Sequence, residues 1–321
     1  MEANVVFMGT PQFAVPALRA LAQDRNRYNI TVVTRPDRPA GRGGRLTPPP
    51  VKVAAEGLGL PVLQPETLKD PDFRARLASL RPDVTVLVAY GEYVPTALLD
   101  LPRRGSINLH PSLLPRWRGS TPIQSAILAG DRVTGVTIIL MDSGLDTGPI
   151  IAQRSVPIGP EDTAPELSEK LAQAGAELLA EVLPAWLNGQ IQPVPQPEEG
   201  VTLTRMLRKE DGLVDWHLPA EEIARRVRAF QPWPGTHTTW QGRRLNIVRA
   251  RSLPAPPEAT PLPPGTVSRL ASAGPDANRP VVWTPDGVLE LVQVQLEGKP
   301  VIEARALLSG YPQIVGSRLG T

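Results

Sequence analysis

The chain has 321 residues, 41% of them hydrophobic, a formal net charge of +2 and no cysteine. That length holds two domains of ordinary size, and the missing cysteine excludes disulfides, thiolate nucleophiles and cysteine-ligated zinc. Histidine occurs only at 110, 217 and 237, so no His-rich metal site is expected; no apolar run approaches the roughly 20 residues of a membrane span.

Charge is unevenly spread: residues 1–200 carry a net −2 and residues 201–321 a net +4, and 29 of the 34 basic residues are arginine. Arginine forks bind phosphates and carboxylates bidentately. The N-terminus enters a strand-like apolar segment with no basic leader, so no secretory signal is expected. A cytoplasmic setting suits the cysteine-free composition.

Val5-Val6-Phe7-Met8 reads as a buried strand. Gly9-Thr10-Pro11 follows, and then Phe13, Val15, Ala17, Leu18 and Leu21 recur at helical spacing. Strand, glycine turn and helix open a doubly wound α/β unit. The second and third glycines of a dinucleotide fingerprint are missing. Ile30–Thr34 is a second strand. Residues 35–50, rich in Arg, Gly and Pro, read as an exposed, mobile loop. Such a loop is either a solvated connector or a basic finger for a phosphate backbone.

Further helices are expected at 51–57 and 70–80, with a strand at 60–63 between them. Asp83–Tyr90 is the clearest central strand, and it runs into Gly91-Glu92, where glycine would let a ligand approach the backbone. Ser106-Ile107-Asn108-Leu109-His110 then alternates. At strand spacing Ile107 and Leu109 face one way, Asn108 and His110 the other, and Pro111 stops the ladder. A short helix over 123–128 and a strand over 136–141 follow. The strand leads into Asp142-Ser143-Gly144-Leu145-Asp146-Thr147-Gly148, a turn carrying two carboxylates.

Residues 165–187 form the longest amphipathic pattern, and 193–200, PVPQPEEG, reads as a linker. Beyond it come a helix over 221–230, a hairpin around Gln241-Gly242, short strands at 266–270, 281–284 and 288–296, and a last helix at 303–308. Short strands with Gly/Pro turns suggest a small barrel.

Asn108, His110 and Asp146 make one chemical constellation. An amide and an imidazole can hold an oxyanion in acyl transfer, and a carboxylate beside the ring would orient it and favour its charged form. Ser112, the serine nearby, lacks the G-x-S-x-G turn of an activated nucleophile. Direct transfer without a covalent enzyme intermediate is therefore expected.

The run His110-Pro111-Ser112-Leu113-Leu114-Pro115-Arg116-Trp117-Arg118-Gly119 resembles the signature of folate-dependent formyltransferases, and Asp142-x-Gly144-Leu145-Asp146-Thr147-Gly148 is similar to their second motif. Three stretches narrow the resemblance to the methionyl-tRNA formyltransferase family: Phe7–Ala14, Pro36–Gly43, and Arg228–Gly235 with the preceding Gly212–Trp216.

The resemblance implies a Rossmann-like α/β domain with a mostly parallel sheet over residues 1–190, a linker over 191–207 and an OB-like barrel that binds tRNA over 208–321. It implies formyl transfer from 10-formyltetrahydrofolate to methionine on initiator Met-tRNA, with Asn108, His110 and Asp146 as the catalytic trio and no metal. Ser112, Leu113, Leu114 and Pro115 match the folate-contacting segment, with Val88, Tyr90, Gly91, Glu92, Met141, Asp142 and Gly144 completing the pocket. Arg42 of the basic loop, flanked by Arg38 and Arg45, and Lys209 are the expected tRNA contacts. The implied enzyme is a cytoplasmic monomer that uses no membrane. The chain departs from the family's usual pattern at Gly44-Arg45, at 204–209 and at 271–278. A related folate-dependent N-formyltransferase or formyl-folate hydrolase with a small-molecule acceptor is the alternative. A non-catalytic RNA-binding module would have no use for the trio.

Overall fold

The structure is a computed structural model that describes residues 2–40, 44–270 and 279–320. Two compact units emerge. The first comprises residues 1–122, 133–158 and 167–204; the second comprises 123–132, 159–166 and 205–321.

The first unit opens with β1 (Ala3–Gly9), α1 (Val15–Gln23) and β2 (Tyr28–Val33). A two-stranded hairpin, β3 (Arg38–Ala40) and β4 (Arg45–Thr47), precedes α2 (Pro50–Gly57) and β5 (Val62–Leu63). Then come α3 (Pro71–Ser79), β6 (Val84–Val88), α4 (Thr96–Leu99) and β7 (Ser106–His110). Past α5 (Pro122–Ala129), which from Ile123 on counts with the second unit, the strands β8 (Val133–Leu140) and β9 (Ile150–Pro157) lead to α6 (Ala164–Leu187).

The sheet runs in the order β5-β2-β1-β6-β7-β8-β9. Its first five strands are parallel, and the β7–β8 and β8–β9 pairings are antiparallel, so that β8 alone runs against the rest. Every residue of β6 and of β7 is buried, as expected of central strands covered on both faces. The strand order reverses between β1 and β6. Ligands of open α/β sheets bind beyond the carboxyl ends of the strands at such a switch point, here the ends of β1, β6 and β7. The two faces of β7 separate as alternation requires. Leu109 turns to α6, where a Cβ on Gly175 would meet its Cδ2 at 2.6 Å. Asn108 and His110 face the other way.

The second unit contains α7 (Ala220–Ala229), β10 (Thr236–Trp240), β11 (Arg243–Leu253), β12 (Val267–Leu270), β13 (Arg279–Trp283), β14 (Val288–Leu296), β15 (Ile302–Glu303) and α8 (Ala304–Gly310). Its strands are antiparallel, ordered β10-β11-β14-β13-β12, with β15 on β14. The core joins Trp216, Ile223, Val227, Trp240, Leu245 and Leu291. Glu221 and Glu222 open α7, and Arg226 and Arg228 close it, complementing the helix dipole.

Three features differ from the sequence reading. The loop 35–50 is partly paired: Arg38, Pro39 and Ala40 lie opposite Thr47, Leu46 and Arg45. Ladder pairing needs extended backbone, which a stretch without periodicity can still supply. Strand β9 was not expected, because its burial is broken and polar residues interrupt it. Residues 191–207 do not run free. Val194 bridges Ile150, and Leu203 bridges Arg118, so the stretch as far as Thr204 counts with the first unit.

Candidate active site

Strand β7 delivers the first two site residues. Asn108 and His110 are 7% and 4% exposed. The third arrives on the turn between β8 and β9. Asp142 Oδ1 accepts from the Gly144 amide at 3.0 Å and from the Thr147 hydroxyl at 2.7 Å, an Asx-type turn that fixes the loop from within. Gly148 closes it: a Cβ there would overlap the Leu140 carbonyl oxygen. The turn folds Asp146 over the Asn108/His110 face.

The Asp146 carboxylate then meets three partners. Oδ1 accepts from Asn108 Nδ2 at 3.3 Å, and Oδ2 accepts from the Gly119 amide at 2.9 Å. Oδ2 also lies 3.5 Å from His110 Nδ1. A carboxylate only accepts, so the nitrogen of the Asn108 amide is the end that faces it. Asp146 holds φ at +53°, a left-handed conformation that costs a non-glycine residue about 1–3 kcal/mol and persists when surroundings over-determine it.

The other ring nitrogen of His110, Nε2, lies 2.9 Å from the Trp117 carbonyl oxygen. Both nitrogens therefore face acceptors, while a neutral imidazole has one proton. Burial pushes the pKa of His110 down; the Asp146 charge and the Trp117 carbonyl pull it back up without offsetting the desolvation. With its pKa below the ordinary value the ring is neutral at pH 7, and its one proton serves one of the two facing acceptors. A neutral ring beside the Asp146 carboxylate is a proton acceptor with its counter-charge already in place.

The segment after β7 is held from two sides. Thr137, on β8 opposite His110, donates to Ser112 O at 2.6 Å and accepts from Leu114 N at 3.1 Å and Gln153 Nε2 at 2.9 Å. Ser112 is fully buried and its hydroxyl donates to the Arg116 carbonyl, which makes it a structural rather than a nucleophilic serine. From the other side, Thr202 Oγ1 accepts from the Trp117 amide at 2.7 Å, and Thr204 N donates to Arg118 O at 2.8 Å.

Val88 ends β6, and the chain turns through positive φ at Ala89 and Gly91. Tyr90 is buried with its hydroxyl pKa pushed up to about 12, chiefly by desolvation. The Thr10 hydroxyl donates to Tyr90 O at 2.7 Å, tying the loop after β1 to the loop after β6. Met141 packs on the cluster containing Leu87, Tyr90 and Val94. Thus 88–92 and 141–144 share one wall, while 112–115 leave the neighbouring strand. Gly91, Glu92, Asp142 and Gly144 are exposed, and Leu113, Pro115 and Met141 are half-buried.

Arg38 and Arg45 are exposed on β3 and β4, and the base of their hairpin is anchored. Asp37 accepts from Gln64 Nε2 at 2.8 Å and from Lys52 Nζ at 2.9 Å, and these two partners hold its carboxyl below the usual range. Arg42 lies outside the described residues. Lys209 is exposed and belongs to the second unit. Among the described residues no group of three or more His, Asp or Glu is placed to hold a metal ion.

Sequence reasoning missed the Trp117 carbonyl, the Gly119 amide, Thr137, Gln153 and Gln196. Backbone donors carry no residue signal. Thr137 looked like an ordinary strand residue, Gln153 lies in a stretch not expected to be a strand, and Gln196 sits in a proline-rich run.

The formyl transferase family model matches residues 3–183, and the formyl transferase C-terminal domain model matches 206–312. The chain is 48% identical over 307 residues to methionyl-tRNA formyltransferase of Chloroflexus aurantiacus, covering 96% of each chain. It is 46% identical over 315 residues to the Myxococcus xanthus enzyme of that name, covering 98% of this chain and 97% of that one. The chain belongs to the methionyl-tRNA formyltransferase family. More distant structures share the fold. The Helicobacter canadensis N-formyltransferase, solved with folinic acid and dTDP-3-aminofucose, superposes with a TM-score of 0.64 at 16% identity, covering 91% of this chain and 99% of that one. HypX of Aquifex aeolicus, solved with tetrahydrofolic acid, gives 0.62 at 18% identity; the match covers 98% of this chain and about half, 48%, of HypX.

Proposed function

We propose that this chain transfers a formyl group from 10-formyltetrahydrofolate to the α-amino group of methionine on initiator tRNA. The convergence of Asn108, His110 and Asp146 on one sheet face, within a chain of this family, carries the reading.

The acceptor needs little activation. An α-amino group with a pKa of about 8 is partly neutral at pH 7. Asn108 has two amide protons; one faces Asp146, and the other would hold the negative charge that builds on the formyl oxygen. The His110–Asp146 pair takes the proton that the attacking nitrogen must lose. His110 then becomes a cation whose two N–H groups donate to Asp146 and to the Trp117 carbonyl. That cation adds to the field stabilising the oxygen. As the bond to the folate nitrogen breaks, the pair returns the proton to the departing nitrogen. No covalent bond to the protein is needed.

Residues 88–92, 112–115 and 141–144 would hold the folate by backbone edges and apolar side chains. Arg38, Arg42, Arg45 and Lys209 would contact the phosphate backbone of the tRNA. The same reading makes the protein a cytoplasmic monomer. A dimer mass in light scattering would remove that last part.

The test is a formylation assay with 10-formyltetrahydrofolate and Met-charged initiator tRNA, elongator tRNA or free methionine. Preference for the initiator supports the reading. Equal turnover of free methionine and charged tRNA would replace it with the small-molecule alternative.

A further inference from the structure

We propose that Gln196 is a positioning residue for formyl transfer, its side-chain amide fixing the backbone of the turn that carries Asp146. The inference rests on the function proposed above for that site. Gln196 Nε2 donates to the carbonyl oxygens of Asp146 at 2.7 Å and Gly148 at 2.8 Å. Its Oε1 accepts from Arg118 Nε at 3.1 Å and from a terminal guanidinium nitrogen of Arg118 at 2.7 Å. The amide orientation follows from its surroundings. Arginine can only donate and a carbonyl can only accept, so oxygen must face Arg118 and nitrogen must face the turn.

Arg118 belongs to the segment after β7, one residue before the Gly119 amide that donates to Asp146 Oδ2. The clamp therefore ties together three pieces of chain: the segment after β7, the β8–β9 turn and the stretch at 194–204. Asp146 is held at its carboxylate by Asn108 and Gly119 and at its backbone by Gln196. Its left-handed backbone, at φ +53°, is tolerated by aspartate and is further restrained from outside the turn by this clamp. A shift of the turn moves the carboxylate away from His110, and displacements of about 1 Å at a reacting centre can cost 10²-fold in rate.

Two variants separate this role from a general structural one. Gln196→Ala removes the clamp. Gln196→Glu keeps, and by charge strengthens, the link to Arg118, but places an acceptor against two carbonyl oxygens. We expect kcat for formylation to fall 10- to 100-fold in Gln196→Ala, and at least as far in Gln196→Glu, with KM for both substrates changed less than about threefold. A residue that merely anchors Arg118 gives the opposite result, with Gln196→Glu close to wild type.

The second readout does not need turnover. The chain has three histidines, so ring resonances can be assigned by substituting His217 and His237 in turn. With Asp146 displaced, the carboxylate that raises the His110 pKa recedes, and the ring of folded Gln196→Ala should titrate at lower pH than in wild type. Active Gln196→Glu, or a His110 titration identical in wild type and both variants, overturns the proposal. A wild-type protein that transfers no formyl group defeats the functional reading instead, and the His110 titration still decides the role of Gln196.

Discussion

The turn between β8 and β9 and the hairpin of β3 and β4 are both short connections in the first unit, and each carries residues proposed to meet a substrate. The first is restrained at many points. Asp142 ties it internally, Gly148 lets it close on Leu140, Gln196 grips two of its carbonyls, and Asn108 and Gly119 hold its carboxylate. The second is anchored at its base by Asp37, Lys52 and Gln64, and its arms are three residues long with exposed arginines. The contrast follows the work proposed for each. A proton acceptor must stand within a fraction of an ångström of its partner. A phosphate backbone is met by charge, whose energy varies slowly with distance.

The comparison predicts a graded set of effects. The largest belongs to the chemistry: Asn108→Ala should lower kcat about 10²- to 10³-fold with the melting temperature nearly kept, by analogy with removal of one oxyanion donor. Near-wild-type kcat in a formylation assay would detach Asn108 from catalysis. Next comes the restrained turn. Gly148→Ala drives a methyl group into the Leu140 carbonyl, so the turn must shift; we expect a loss of about 1–3 kcal/mol, read by urea unfolding, and a kcat loss beyond it. An unchanged kcat would show that the turn tolerates movement.

Acid should act through His110. Its folded-state pKa lies below the ordinary 6.5, so the folded protein binds fewer protons than the unfolded chain in that range. Its contribution to stability is therefore intact above pH 6.5 and lost as pH falls through that value towards the folded pKa. The wild type should lose melting temperature faster than His110→Gln between pH 8 and pH 5.5. A gap that widens in favour of wild type on acidification would mean that the Asp146 charge outweighs burial.

The smallest effect belongs to the hairpin. Arg45→Ala should weaken tRNA use a few-fold and flatten its salt dependence by about one counter-ion, with the folding stability unchanged. Kinetics with charged tRNA across ionic strength check this; identical salt slopes would remove Arg45 from the interface.

Much of this architecture was legible from residue order. Alternation in Ser106–His110 places Asn108 and His110 on one face, Pro111 ends the strand, and helical spacing marks α6 nearly to its ends. These are local periodicities, and buried or amphipathic elements keep them because each side chain has one side facing the core. The Asp/Gly turn announces itself through Asp142, Gly144 and Gly148, whose roles are also local.

What the tertiary structure decided was who meets whom. Nothing in the spacing of Asp146 from His110 fixes a 3.5 Å approach. That approach comes from the antiparallel return of β8 and β9, and β9 itself was hidden by its mixed polar surface. Gln196 gave no signal inside PVPQPEEG, a composition that reads as linker, because a hydrogen bond to a carbonyl 50 residues away depends on the path of the chain rather than on its neighbours. Local periodicity set most of the strands and helices and the face on which Asn108 and His110 stand. Folding alone brought the carboxylate to the ring and the amide to the turn, because long-range polar contacts are chosen by proximity after the core has formed.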